Sequence, residues 1–420
     1  MKPPTIFSPG GKMQKRFQLG VLVLGTFLLL LIGSRLFSTL APHTSAVTST
    51  ALASTAPGVY AGSGDGTLYK LDGDKGTLDW KVQVTDRNLP AAPAVANGIA
   101  YFSTLNEGVY AVNADTGSLL WHSSTVGGSL AAPVVNNQVV YVSSTDSYLY
   151  ALNAQNGSLL WRFDTAVGNE TVAPTSVTVV NGVVYGSASD QVDHSYLFAI
   201  DAKTGKQLWR TETHNQLFTS VQVVNNIIYF ASSAITHAGG PHTSDSYVYA
   251  YNAQTGTQLW VSSKIGDVIL SAPAISNNLV YVGSQDTYIY ALDAQTGKLT
   301  WRHKFGGPIY ATPLVSNGTL FAGIATASST RIMASSRTTD STLSSDAIVA
   351  LDAKTGNLIW QQAQVAHYAG TPLALAGNTV YVGTQDNQIY ALDATTGSVN
   401  WHYQMASANP FNNAPITVAP

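Results

Sequence analysis

Eight tryptophans punctuate this chain: Trp80, Trp121, Trp161, Trp209, Trp260, Trp301, Trp360 and Trp401, with no others. Each closes an eleven-residue stretch of one form, plainest as ALDAQTGKLTW at residues 291–301. A Gly stands four residues before every Trp: Gly76, Gly117, Gly157, Gly205, Gly256, Gly297, Gly356 and Gly397. An Asp or Asn stands eight before it. The Trp-to-Trp spacings are 41, 40, 48, 51, 41, 59 and 41. A period near forty marks a repeat architecture, in which each unit buries a face only against its neighbours.

One unit, residues 271–301, reads as four short strands. Strand A is APAIS, and Asn277-Asn278 turns into strand B, LVYVGS. Gln285-Asp286 turns into strand C, YIYALD, and residues 294–297 turn into strand D, KLTW. β-Branched and aromatic runs between turn residues are the signature of a meander. In the last turn an Asp or Asn bonds the backbone ahead of it, and Gly takes a positive φ without steric cost. A lone four-stranded sheet leaves its faces uncovered. Units packed face to face around an axis form a β-propeller.

The first Trp is preceded by strands B, C and D but by no strand A. The C-terminus holds a spare one, APITV at residues 414–418. The sequence therefore predicts an all-β, eight-bladed propeller, its ring closed by the C-terminal strand within blade one. Such an exchange removes two free sheet edges. Six inner strands carry a Pro read as equivalent: Pro93, Pro133, Pro273, Pro313, Pro372 and Pro415. Pro cannot donate to a ladder, so it marks that strand as an edge.

Composition limits what such a ring can do. Charged residues are only 10% of the chain and Cys is absent. Disulfides, zinc–thiolate sites and thiol nucleophiles are thereby excluded. The net charge is −3, but residues 1–58 hold five basic residues and no acidic one, which leaves 15 − 23 = −8 for the rest. An acidic, charge-poor body does not suit nucleic acid.

The N-terminus carries that positive charge. Residues 1–16 are basic and precede the apolar run LGVLVLGTFLLLLI, residues 19–32. Residues 17–40 read as a transmembrane signal anchor, with a cleaved signal peptide as the alternative. Charge on the leading side places that end in the cytoplasm and the body outside it. An A-x-A match at residues 51–53 lies too far beyond the run for the usual cleavage site. Residues 41–57, rich in Ser, Thr and Ala, read as a flexible linker, and residues 58–420 as the propeller. The expected location is the cell membrane, single-pass, with the propeller extracytoplasmic.

The pattern ALDAxTGxxxW following VYVGSxD resembles the pyrrolo-quinoline quinone (PQQ) repeat family. That family includes eight-bladed quinoprotein dehydrogenases and non-catalytic propellers, such as the lipoprotein subunit of the outer-membrane barrel assembly machinery. The resemblance implies that Trp80 to Trp401 dock between neighbouring blades. For a dehydrogenase it also implies a vicinal disulfide, a calcium held by Glu, Asn and Asp, and a catalytic Asp. The disulfide is impossible here. Glu occurs only as Glu107, Glu170 and Glu212, in three different blades. Asp65, Asp146, Asp245, Asp286, Asp346 and Asp386 recur at the B–C turn and read as turn formers. The likeness is therefore closer to the non-catalytic members; no catalytic residue and no cofactor is assigned, with PQQ and Ca²⁺ kept as the alternative.

Length variation points to one face. The A–B and C–D turns barely change, whereas B–C turns and D-to-A connections do. Blade five inserts residues 232–246, blade seven residues 325–346, and blade four SASDQVDHS with a long connection before it. Loops on a rigid scaffold are where function concentrates. His194, His237 and His242 lie in these loops, near Asp190, Asp193 and Asp245. Imidazoles and carboxylates are transition-metal ligands, but the spacing matches no ligand motif and no metal site is assigned. Arg331 and Arg337 read as solubilising residues. The expectation is a binding or scaffold module with a protein partner on the faces of blades four, five and seven, or on the outer strands. The alternative is a PQQ- or metal-dependent oxidoreductase using that same face; a cell-surface ligand or sugar sensor is a third reading.

Overall fold

The computed structural model describes residues 56–84, 89, 91–105, 107–124, 126–129, 131–166, 176–189, 195–213, 219–234, 245–325, 346–363, 365, 371–406 and 416–419. Residues 17–40, read above as an anchor, and most of the stretch read as a linker lie outside them. Among the described residues no helix is long and apolar enough to cross a membrane. Among the described residues, thirty-two strands form eight four-stranded antiparallel sheets.

Blade six shows how the repeat folds. Its strands are A (Ala274–Ser276), B (Leu279–Gly283), C (Tyr288–Asp293) and D (Leu299–Lys304). Asn277 and Asn278 have φ of 48° and 62°, the left-handed pair that a two-residue hairpin requires. Asp293 Oδ1 accepts the backbone N–H of Gln295 at 3.1 Å and of Thr296 at 2.8 Å. Gly297 follows at φ 69°.

Two features depart from the sequence reading. Pro93, Pro133, Pro273 and Pro313 stand immediately before the inner strand and are buried. Pro372 is one residue earlier and exposed, and Leu373 takes the buried position instead. Six equivalent prolines was therefore an over-reading; Pro415 lies outside the described residues. Strand D also carries a bulge in every blade, at the residue before Trp. In blade six Ala291 pairs with Trp301 and Leu292 with Leu299, which leaves Thr300 unopposed. A bulge re-aims the side chains beside it. Both residues ahead of the Trp can then face solvent, as Leu119 (55% exposed) and Leu120 (46%) do.

Closure follows the expected route. The order in blade one is D–C–B and then the C-terminal strand Ile416–Ala419. Val59 pairs with Val418 and Tyr60 with Thr417. Thr417 Oγ1 then donates to Pro93 O of blade two at 2.6 Å. The apolar core is divided into eight clusters, each shared by two neighbouring blades. Tyr281, Ile289 and Ala291 of blade six, for example, bury against Leu320, Val349 and Leu351 of blade seven. The seams between blades are thus where the hydrophobic free energy of folding is gained.

Candidate functional site

Each seam has the same centre. A Trp on strand D donates its indole N–H to the first carbonyl of the next blade's C–D turn. Trp80 reaches Ala114 O at 3.1 Å, Trp121 Ala154 O at 3.0 Å, and Trp161 Ala202 O at 3.0 Å. Trp209 reaches Ala253 O at 3.0 Å, Trp260 Ala294 O at 3.0 Å, and Trp301 Ala353 O at 3.1 Å. Trp360 reaches Ala394 O at 3.0 Å and Trp401 crosses the closure to Gly73 O at 2.8 Å.

The turn glycine lies flat on the same indole. A Cβ on Gly356 would stand 2.6 Å from Trp301 Cε3, and one on Gly117 2.7 Å from Trp80 Cε3. Gly here answers to two demands at once, a positive φ and a ring against its face. A third participant went unread in the sequence, the Tyr of strand B. In six blades its hydroxyl donates to the carbonyl that the Trp also holds: Tyr60, Tyr101, Tyr141, Tyr229, Tyr281 and Tyr381. Burial pushes Tyr60 and Tyr281 up to about 12.

The opposite face carries the variable segments, and blades four and five rise on it. Blade six stops pairing B with C at Gly283↔Ile289. Blade four continues to Ser189↔Ser195, with strands Val183–Ser189 and Ser195–Asp201. Blade five continues to Ala234↔Asp245, with strands Ile227–Ala234 and Asp245–Asn252. These extra pairs add roughly 7 to 10 Å of height at about 3.3 Å per residue. Ser189 Oγ and Ser195 Oγ are 2.8 Å apart at the top of blade four. Asp245 pairs with Lys264 and raises the pKa of that ammonium through their hydrogen bond.

Below this rim, cations stack on tyrosines of the outer strands. Arg210 lies 4.2 Å from the Tyr196 ring, Arg162 4.6 Å from Tyr148, and Arg302 4.9 Å from Tyr288. The B–C turn aspartates accept backbone N–H groups: Asp65 from Thr67 at 3.0 Å, and Asp146 from Tyr148 and Asp286 from Tyr288 at 3.1 Å. Asp146 also accepts the Tyr150 hydroxyl at 2.6 Å.

His194, His237 and His242 lie outside the described residues, as do Asp190, Asp193, Glu170, Arg331 and Arg337. Among the described residues no three His, Asp or Glu side chains gather closely enough to hold a metal. The described inner strands bear no charged side chain. Nothing in them would offset the carboxylates of a quinone cofactor.

The family model described as outer membrane protein assembly factor BamB matches residues 64–194, 191–264, 244–340 and 322–419. No curated protein matches the chain. The crystal structure of BamB from Moraxella catarrhalis is similar at 19% identity and TM-score 0.53, over 64% of this chain and 79% of that one. The computationally designed Ika8 protein is similar at 18% and 0.58, over 78% and 95%. The quinohemoprotein alcohol dehydrogenase ADHIIG from Pseudomonas putida HK5 is similar at 18% and 0.58, over 81% and 68%. At these identities the likeness to solved structures is one of fold.

Proposed function

This chain belongs to the family of the outer membrane protein assembly factor BamB, and from that premise we propose that it is a membrane-tethered scaffold that binds a protein partner. The raised hairpins of blades four and five are the observation that carries the reading. A rigid ring that keeps its turns short on one face and extends paired strands on the other presents a surface built to be touched. Residues 17–40 are the tether, and the propeller works on the extracytoplasmic side. The outer strands supply a second docking edge, where a partner strand adds by backbone pairing.

A site-specific photocrosslinker tests the face. It is placed at Ser189, at Asp245 and, on the opposite face, at Thr296, in the full chain in its own membranes. The first two positions give one discrete adduct of the same mass and Thr296 gives none. Adducts from Thr296 alone, or the same smear from all three, would overturn the proposal.

The alternative, a PQQ- or metal-dependent oxidoreductase, has the similarity to quinohemoprotein dehydrogenases in its favour and the uncharged inner strands against it. Titration with PQQ and Ca²⁺ separates the two. Stoichiometric binding with a quinone spectrum would favour the enzyme.

A further inference from the structure

The seam between blades seven and eight contains a hollow. A cavity of about 240 Å³ opens there on the face of the short turns. Three departures from the repeat meet at it. Phe321 stands where the other seven blades have Tyr. Thr319 stands where blades two to six have Ile, Val or Leu: Ile99, Val139, Val183, Ile227 and Leu279. Gly377 stands where six other A–B turns open with Asn, as Asn277 and Asn317 do. Phe321 and Gly377 each remove side-chain atoms, and Thr319 is smaller than Ile or Leu and replaces an apolar methyl of Val with a hydroxyl. The inner strands of these two blades, Leu314–Ser316 and Ala374–Ala376, also pack on one another less than any other neighbouring pair.

The chemistry of the wall follows from the same changes. Ala394 O accepts the Trp360 indole N–H at 3.0 Å, and Phe321 has no hydroxyl to supply the second donor that Tyr281 gives Ala353 O at 3.0 Å. A carbonyl has two lone pairs, so Ala394 O, on a residue that lines the hollow, lacks the second donor present at six other seams. Phe321, Ile359 and Leu375 form an apolar side, and Ser316 and Thr395 add hydroxyls. Asn378 is held in place, its amide donating to Asp393 at 2.9 Å and accepting from Thr395 at 3.1 Å. No charged side chain lines the cavity. For scale, an apolar cavity of about 150 Å³ is enough to bind benzene.

We propose that this seam is a binding site for a small uncharged ligand carrying a hydroxyl on a six-membered ring. The hydroxyl donates to Ala394 O in place of the missing Tyr hydroxyl, and the ring lies against Phe321 and Ile359. A phenol and a pyranose share this chemistry; a carboxylate-bearing ring does not suit it, because burying a charge without a partner is costly. The site is independent of the partner-binding face, which lies at the other end of the ring.

The test reads the eight indole N–H signals of the full chain by NMR, with Trp360 assigned through Trp360→Phe. Phenol, methyl glucopyranoside and benzoate are titrated separately. The Trp360 signal shifts saturably with phenol or with the glucoside, the other seven do not, and benzoate has no effect. Whichever ring binds identifies the class. Phe321→Tyr and Gly377→Asn each restore what other seams contain and so keep the fold; Phe321→Tyr weakens binding up to about ten-fold, the scale of one lost hydrogen bond, and Gly377→Asn weakens it by narrowing the mouth of the hollow. No saturable shift with either neutral ring would overturn the proposal. So would a shift shared by all the indoles, or one undiminished in both variants.

Discussion

The seam between blades six and seven and the one between seven and eight are built from the same parts list. In the first, Ala353 O accepts two donors, Trp301 at 3.1 Å and Tyr281 at 3.0 Å. His303 adds a contact to Gly356 O at 2.9 Å. In the second, Ala394 O keeps its Trp but faces Phe321, and a cavity stands beside it. Both seams still enclose a buried cluster. The Trp and the turn are therefore the common minimum, and the Tyr hydroxyl is a supplement made at six of the eight seams. A seam held at every blade by its Trp can be thinned elsewhere without opening the ring, and that is where a site can be accommodated.

The severest test of the comparison removes a seam altogether. Deleting residues 416–420 takes the inner strand from blade one and the Thr417 bond to blade two. The unfolding midpoint should fall by more than in any point variant; a truncated chain as stable as the full one would disprove closure. Next comes Trp301→Ala, expected to lose about 3–5 kcal/mol by denaturant unfolding. Gly356→Ala pushes a methyl into the same indole at φ 74° and should lose about 2 kcal/mol, since left-handed backbone alone costs an Ala about 1–2 kcal/mol.

A smaller effect separates the seams by pH. Burial, with Asp352 adding to it, lifts Tyr281 from 10.0 to about 12 in the folded chain. Its protonated form is favoured by folding, so the associated stability is whole below pH 10 and declines as pH rises toward about 12. Stability measured across that window should fall less steeply in Tyr281→Phe. The Phe321 seam lacks this strand B phenol, and the phenol packed against its cluster is Tyr390 of strand C, also raised by burial.

Much of this was legible because the signal is printed eight times. Asp293 and Gly297 define one turn, and the same pair spaced along the chain defines the blade count. The segment at residues 414–418 announced the closing strand by matching APAIS. The bulge at Thr300 was not legible, because pairing register depends on the backbone of the partner strand. The reach of the Tyr281 hydroxyl into the next blade was hidden for a similar reason: 72 residues separate it from Ala353. Phe321, Thr319 and Gly377 were visible as exceptions, but only the folded seam brings them to one cavity. The partner-binding face rests on loops that carry no repeating pattern, so the repeat says where they leave the ring and the strand lengths of blades four and five say how far they are raised.

The central claim is that one bond, from a strand B hydroxyl to the next blade's turn carbonyl, is made at one seam and left open at the other. Paired denaturant unfolding of Tyr281→Phe and Phe321→Tyr tests it most directly. Tyr281→Phe should lose about 1 kcal/mol, and Phe321→Tyr should lose nothing or gain up to about 1 kcal/mol as the added hydroxyl finds Ala394 O. A comparable loss in both variants would contradict the account, because it would mean that the seam between blades seven and eight has no room and no free acceptor.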